Sequence, residues 1–276
     1  MRVGRIPYIN CYPVYGAIDR GIVPVDATLV DGVPSALNAL MGSGKLDVSV
    51  VSAVEYARDS RSYLLLPDLA ISCDGPVRSV VLFSRYPAVK LGGRRVLVSR
   101  SSMTSVALVE LLFESVWHAQ PVFVPSDAEI TDVDRFHSEE HDARLVIGDA
   151  ALLLSSRGDQ SGYTHSYDLG EMWKRWTGLP FVFAVWVARR SVPVAEALRV
   201  HTSLIESRDW GLGHLGLLAA QAAEQTGFPR RVCDEYLSGL DYGLSYPHLA
   251  ALTEFFRRLE AAGRVPRSRL AFLPAA

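Results

Sequence analysis

The sequence predicts an α/β fold, in which short buried strands alternate with helices. Short apolar runs alternate along the chain with longer segments that have a helical period. The links between them are short, and hydroxyl residues stand where several helices are expected to begin. Alternation of this kind is typical of mostly parallel sheets flanked by helices.

The first stretch of alternation covers about sixty residues. The expected elements are a strand at residues 2–6, a strand at 26–30, a helix at 36–41 closed by Gly42-Ser43-Gly44, a strand at 46–51, and a helix that begins at Ala53 after the cap Ser52. The run at 46–51 is almost continuously apolar, as expected for a strand buried on both faces of a parallel sheet.

A similar arrangement recurs further along the chain. The expected elements are a strand at residues 95–99, a hydroxyl-rich turn at 101–105, a helix at 106–113, strands at 121–124 and 145–147, and a helix opened by Gly148-Asp149-Ala150. The recurrence is weak as a sequence repeat, but it indicates a second sheet of the same kind.

Two β-rich runs, residues 77–84 and 181–188, are expected to connect two lobes. After them the pattern is helical, with helices expected at residues 194–207, 215–225, 229–238 and 246–262. Two crossings predict a discontinuous first lobe, residues 1–85 and 189–276, and a second lobe at 86–188. We expect the ligand in the cleft between the lobes, near helix starts at strand ends.

Composition narrows the classes of function. The chain has 276 residues, 49% hydrophobic and 21% charged, with a net charge of −2, so we expect neither a nucleic acid nor a membrane as partner. Cys11, Cys73 and Cys233 are far apart and form no C-x-x-C pair, which argues against disulfides and thiolate metal sites. The first residues lack the apolar stretch of a signal peptide, so we expect a cytoplasmic protein. The sequence leaves the oligomeric state open.

Two glycine motifs have simpler explanations than nucleotide binding. Residues 211–216 read G-x-G-x-x-G, but a polar helical stretch precedes them instead of a strand, which favours a turn between helices. Gly42-Ser43-Gly44-Lys45 lacks the first glycine and the final hydroxyl residue of a phosphate loop, so we interpret it as a helix end.

Two further motifs carry weak indications of chemistry. His137 and His141 are four residues apart, but Glu does not directly follow the first histidine, and the polar surroundings favour a solvated face over a metal site. No feature of the sequence pairs a histidine with Cys73, so a buried thiol is favoured over a nucleophile.

Hydroxyl residues at helix starts are the better candidates for ligand contacts. These are Ser52, Ser101, Ser102, Thr104 and Ser105. Each of them can simply cap a helix, yet helix amino ends also bind carboxylates through free amide groups. Asn10 directly follows the first strand, where sites of α/β proteins lie, although a turn asparagine is as good an interpretation. Arg78 and Ser79 are polar residues on an otherwise apolar strand, which makes them candidates for ligand contacts. The alternative interpretation is that they lie on the outward side of the strand.

Four segments together resemble the chorismate dehydratase family of menaquinone biosynthesis. They are residues 7–13 (PYINCYP), residues 44–56, residues 75–80 (GPVRSV) and residues 167–173 (YDLGEMW). They occur in the order of the family, and the resemblance extends over nearly the whole chain. It implies a two-lobed type II periplasmic-binding-protein fold without an export signal.

The resemblance also implies an activity and its residues. Chorismate would lose water to give 3-[(1-carboxyvinyl)oxy]benzoate, the first step of the futalosine route, without a metal or an organic cofactor. The family assigns Asn10 and Ser79 to the catalytic centre. The residues expected to bind substrate are Ser52, Ala53, Arg78, Ser101, Ser102, Met103, Thr104, Ser105, Gly148 and Asp149.

Three questions stay open at this level. A sister family that makes dihydroxynaphthoate uses a histidine near the helix start of the second lobe, and residues 147–150 contain none, which favours the dehydratase. A binding protein for a small carboxylate, with Arg78 as its anchor, is the alternative without chemistry. The proton acceptor is either the enolpyruvyl carboxylate of the substrate or Asp149.

Overall fold

The computed structural model divides the chain into two compact units. It describes residues 1–126, 140–156 and 162–274. Unit 1 consists of Met1–Ser72 and Val182–Ala276, and unit 2 of Cys73–Phe181. Each unit has one five-stranded sheet flanked by helices. No helix among the described residues is long and apolar enough to cross a membrane.

Unit 1 contains a mixed sheet with the strand order β2-β1-β3-β10-β4. Its strands are β1 (Arg2–Arg5), β2 (Thr28–Asp31), β3 (Val48–Ser52), β4 (Tyr63–Cys73) and β10 (Phe181–Arg189). Its helices are α1 (Tyr12–Asp19), α2 (Pro34–Gly42), α3 (Ala53–Arg58), α7 (Val194–Gly213), α8 (Leu215–Thr226), α9 (Arg230–Ser238) and α10 (Tyr246–Ala261). Strand β1 is parallel to β2 and β3, whereas β10 is antiparallel to β3.

Unit 2 repeats this plan with the strand order β7-β6-β8-β5-β9. Its strands are β5 (Val80–Ser84), β6 (Arg95–Ser99), β7 (Val122–Ser126), β8 (Ala143–Ile147) and β9 (His165–Asp168). Its helices are α4 (Met103–Leu112), α5 (Gly148–Ser156) and α6 (Leu169–Thr177). Strand β6 is parallel to β7 and β8, and β5 is antiparallel to β8 and β9. The predicted mixed α/β architecture is confirmed.

The boundaries expected at residues 85/86 and 188/189 are wrong, because the two connecting strands belong to the other sheets. Strand β5 pairs with β8 and β9 and so lies in unit 2, while β10 pairs with β3 and lies in unit 1. The chain therefore changes unit at Cys73, before β5 begins, and at Val182, one residue into β10. An apolar run predicts a strand, but it does not say which sheet the strand joins.

Two predicted turns are also corrected. Helix α7 continues to Gly213, so Gly211 and Gly213 are helical and the turn falls at His214. A Cβ atom on Gly211 would lie 2.2 Å from the carbonyl oxygen of Pro13 at the start of α1, so this glycine permits close helix packing. Met103, Thr104 and Ser105 belong to the first turn of α4 instead of a preceding turn. Gly42-Ser43-Gly44 does end α2, as predicted, with Gly44 at φ +74°.

Candidate functional site

Asn10 lies in a short 3₁₀ turn, Ile9–Cys11, between the end of β1 and the start of α1. Pro13 near the start of α1 favours this arrangement, because proline fits the first turn of a helix. The Oδ1 atom of Asn10 is buried and has no hydrogen-bond partner among the described residues. A buried acceptor in this state costs free energy, so it is available for a donor from a ligand.

Ser79 lies directly before β5, between two hydrogen-bonded backbone groups, the N–H of Arg78 and the carbonyl of Ser79 itself. It is buried, with 4% of its surface exposed. Its carbonyl oxygen accepts a hydrogen bond from the backbone N–H of Gly148 at 2.7 Å. Arg78, which precedes it, has φ +64°, a left-handed conformation that is rare for residues other than glycine. The predicted strand at residues 77–84 therefore begins only at Val80.

Asp168, which the sequence did not single out, holds this part of the chain. Its Oδ1 accepts from the backbone N–H groups of Val77 (3.0 Å), Gly170 (2.9 Å) and Glu171 (3.1 Å). Its Oδ2 accepts from the N–H of Arg78 at 2.6 Å. An aspartate before a helix is a signal for a cap. Its bonds to residues ninety positions earlier, however, are visible only in the tertiary structure.

The carboxyl group of Asp168 is under two opposing influences. Burial raises its pKa, and the four amide donors, which favour the charged form, offset part of that rise. Hydrogen bonds to a charged group contribute about 1.5–3 kcal/mol each. The bond from Arg78 supports a backbone conformation whose strained φ costs about 1–3 kcal/mol.

The hydroxyl cluster at the start of α4 is arranged as a cap. The Oγ of Ser102 accepts from the N–H of Ser105 at 3.4 Å and donates to the Oγ of Ser105 at 2.7 Å. The Oγ atoms of Ser99 and Ser101 are hydrogen-bonded to each other at 2.8 Å. Thr104 and Ser105 are buried, whereas Ser101, Ser102 and Met103 are partly exposed.

Ser52 caps α3 as predicted, and its Oγ accepts from the N–H of Glu55 at 3.1 Å. The same hydroxyl contacts the Nδ2 of Asn38 at 3.3 Å. Ser52 and Ala53 are both buried. The structure therefore gives Ser52 a capping role, and its contact with substrate stays a prediction.

Gly148 and Asp149 open helix α5, directly after β8. Gly148 has φ +62°, a conformation that glycine adopts without strain. The side chain of Asp149 lies in the first turn of α5, where the helix dipole favours a carboxylate.

The predicted site residues thus divide between the units. Unit 1 carries Asn10, Ser52 and Ala53, and unit 2 carries the others. Within unit 2 the structure brings Arg78-Ser79 together with Gly148 and Asp168. Placement of the ligand between the lobes stays a prediction.

The remaining motifs have structural roles or lie outside the described residues. His137 is outside them, whereas the Nε2 of His141 is 2.6 Å from the hydroxyl of Tyr163 in the interior of unit 2. No group of three or more His, Cys, Asp or Glu among the described residues is placed to hold a metal ion. Burial raises the pKa of the Cys73 thiol, and the nearby carboxylates of Asp168 and Asp74 raise it further. A thiol in this state is a poor nucleophile.

Comparison with curated proteins identifies two similar enzymes. The chain is 32% identical over 243 residues to the chorismate dehydratase of Thermus thermophilus. The aligned residues cover 84% of this chain and 86% of that protein. It is 29% identical over 188 residues to the chorismate dehydratase of Campylobacter jejuni, covering 67% of this chain and 66% of that protein.

Solved structures show the fold. Protein AF1704 from Archaeoglobus fulgidus superposes with a TM-score of 0.80 at 20% identity, covering 96% of this chain and 98% of that one. The aliphatic sulphonate-binding protein SsuA from Escherichia coli gives 0.66 at 12% identity, covering 97% and 94%. The fold is that of the periplasmic binding proteins, as the resemblance in the sequence implied.

A family model for menaquinone biosynthesis matches residues 1–261, which is nearly the whole chain. Its extent agrees with that of the relative from Thermus thermophilus. The chain belongs to the menaquinone biosynthesis family.

Proposed function

We propose that this protein is a chorismate dehydratase that converts chorismate to 3-[(1-carboxyvinyl)oxy]benzoate. The observation that carries the proposal is the 32% identity over 243 residues to the enzyme of that name from Thermus thermophilus. The proposal includes a cytoplasmic location and activity without an added cofactor, as the resemblance implies.

The reaction removes one ring proton and the ring hydroxyl group of chorismate. The electron pair of the broken C–H bond becomes part of the ring π system, the C–O bond breaks, and the hydroxyl leaves as water after it takes up a proton. Because the ring becomes aromatic, the elimination is strongly favourable. The protein is left mainly with orientation and with hydrogen bonds to the departing group.

Asn10 and Ser79 are proposed as the groups that contact the reacting atoms. An amide oxygen that is buried and unpartnered within the described residues can accept from a substrate hydroxyl, which supports the role of Asn10. The hydroxyl of Ser79 can donate to a leaving oxygen or to a carboxylate. Its firmly anchored backbone supports a positioning function of this kind.

Substrate carboxylates are proposed to be held by groups at helix starts and by Arg78. Residues 101–105 offer hydroxyl groups and the positive end of the α4 dipole. Arg78 offers an exposed guanidinium group on a fixed backbone. Ser52-Ala53 and Gly148-Asp149 complete the proposed set.

Incubation with chorismate tests the proposed function. Purified protein is mixed with chorismate in buffer containing EDTA, and the mixture is followed by liquid chromatography and mass spectrometry. We expect an aromatic product lighter than chorismate by one water. Unconsumed chorismate that nonetheless raises the melting temperature would support the binding-protein alternative, and the absence of both effects would contradict the proposed ligand.

The identity of the proton acceptor is tested with Asp149→Asn, which keeps the size of the side chain and removes its basicity. If the enolpyruvyl carboxylate of the substrate accepts the proton, we expect kcat to fall by less than about tenfold. A fall of a thousandfold or so with unchanged chorismate binding would assign the role to Asp149 instead.

A further inference from the structure

We propose that Asp168 is a positioning residue for the dehydration, because its carboxylate fixes the backbone that presents Ser79. The inference rests on the proposed function and adds a residue that the resemblance does not assign. It starts from one feature of unit 2. A single carboxylate accepts backbone hydrogen bonds from two separate segments, the loop before β5 and the first turn of α6.

The two carboxylate oxygens have different tasks. Oδ1 accepts from the N–H groups of Gly170 and Glu171 in the first turn of α6 and from that of Val77, whereas Oδ2 accepts, among the described residues, from Arg78 alone. The contact with Arg78 is the shortest of the four, at 2.6 Å. It falls on the residue whose φ of +64° is unfavourable without support. The carboxylate therefore stabilises the conformation from which the chain enters Ser79.

Close packing around the loop supports the same interpretation. A Cβ atom on Gly170 would lie 2.6 Å from the carbonyl oxygen of Gly75 and 2.6 Å from the sulfur of Cys73. The thiol of Cys73 itself contacts the carbonyl of Gly75 at 3.1 Å. The start of α6 and the loop thus meet backbone to backbone. The absence of a side chain at Gly170 lets Asp168 reach the loop amides.

Ser79 is then fixed from both sides. The N–H of Arg78 is bound to Asp168, and the carbonyl of Ser79 is bound to the N–H of Gly148 at 2.7 Å. The Val77–Arg78 and Ser79–Val80 peptide groups are therefore anchored, and together they restrict the backbone torsions that set the Cα–Cβ direction of Ser79. Loss of the Asp168 anchor would not remove the Ser79 hydroxyl, but it would change the direction in which that hydroxyl points.

Asp168→Asn separates this role from helix capping. The amide oxygen can replace Oδ1 and keep the cap of α6, but the NH₂ group then faces the N–H of Arg78, so two donors oppose each other. We expect kcat to fall by about 10- to 100-fold, which corresponds to the loss of one hydrogen bond to a charged group. Native-state hydrogen exchange is expected to show faster exchange at Arg78, with Val77, Gly170 and Glu171, whose N–H groups bind the retained oxygen, still protected.

A second pair of variants tests whether the effect acts through the backbone of residue 78. Arg78→Gly and Arg78→Ala both remove the guanidinium group, but only glycine adopts positive φ without strain. In the Asp168→Asn background we expect the glycine variant to have a kcat about fivefold above that of the alanine variant. If Asp168→Asn protein does not fold, Asp168→Glu serves as the background, because its longer side chain keeps the charge but displaces the carboxylate, and equal kcat values of the two residue-78 variants in that background would overturn the inference.

Lys174→Ala is the matched control. This variant breaks an exposed ion pair between Lys174 and Asp74, whose charged atoms are 2.5 Å apart. The pair also joins α6 to the loop before β5, but through two side chains and not through the loop backbone. We expect an unchanged kcat, because exposed pairs of this kind contribute little. An equal loss of kcat in Lys174→Ala and Asp168→Asn would contradict a specific role for the carboxylate. An unchanged kcat in Asp168→Asn would overturn the inference alone, whereas failure of the wild-type protein to dehydrate chorismate would overturn the proposed function.

Discussion

Asn10→Ala is expected to lower kcat for chorismate by about 100-fold or more without lowering the stability of the protein. The activity falls because a hydrogen bond to the reacting part of the substrate is lost, and such bonds contribute factors of about 100 to 1,000. Stability is preserved because the Oδ1 atom is buried without a partner among the described residues. Removal of a buried, unsatisfied acceptor is neutral or stabilising.

The measurement combines steady-state kinetics with thermal unfolding. We expect the melting temperature of Asn10→Ala to stay within about 2 °C of the wild-type value or to rise. A variant with full activity would remove Asn10 from the site. A variant that loses activity and stability together would show that the asparagine is a structural turn residue, which is the interpretation that the sequence left open.

Ser79→Ala should show a similar loss of kcat, and strand β5 offers a control for it. Ser84 is a second buried serine, at the other end of the strand, whose hydroxyl donates to the carbonyl of Tyr86 at 2.6 Å. Ser84→Ala is expected to cost about 1 kcal/mol of unfolding free energy and to leave kcat unchanged. If Ser84→Ala loses as much activity as Ser79→Ala, the effect reflects the stability of the strand and not the chemistry of Ser79.

Gly211→Ala is expected to destabilise unit 1 by about 1–3 kcal/mol. A Cβ atom at this position would lie 2.2 Å from the carbonyl oxygen and 2.6 Å from the Cα of Pro13, and backbone atoms cannot move aside cheaply. The helices α1 and α7 would have to separate. The unfolding free energy is measured by urea denaturation with tryptophan fluorescence as the signal.

Gly213→Ala is the control for helix propensity, because it lies in the same helix and a Cβ there meets nothing within 4 Å. We expect it to stabilise the protein by about 0.5 kcal/mol. The difference between the two variants isolates the contact with Pro13. Equal stability of the two would show that close helix packing does not explain Gly211 in the G-x-G-x-x-G motif.

Of the edge strands that the structure describes, the sequence predicted β2 and β7 but missed β4 and β9, whereas the interior strands were predicted. Strands β3, β6 and β8 follow short apolar runs that are typical of strands buried in a parallel sheet. Strand β4 contains Pro67 and Asp68, and β9 reads His-Ser-Tyr-Asp, so neither shows the pattern. Both lie at sheet edges, where proline and polar side chains are tolerated.

Individual site residues could be anticipated where a local signal exists. Ser52 and Ser102 cap helices, as hydroxyl residues before apolar periodic segments predict. Asn10 follows the first strand, as the sequence indicated. Asp168 was missed. The local sequence can indicate at most that it caps a helix, whereas its bonds to Val77 and Arg78 join segments that are far apart in the chain.

The sequence by itself determined the family and the alternation of strands and helices, because apolar periodicity and ordered motifs are properties of the chain. The tertiary structure decided which sheet each connecting strand joins, why Gly211 must be a glycine, and how Asp168 holds the loop before Ser79. Each of these depends on contacts between segments far apart in the chain. The residues around a segment do not indicate which distant segment it pairs with, so only the folded structure shows which groups accept its backbone hydrogen bonds.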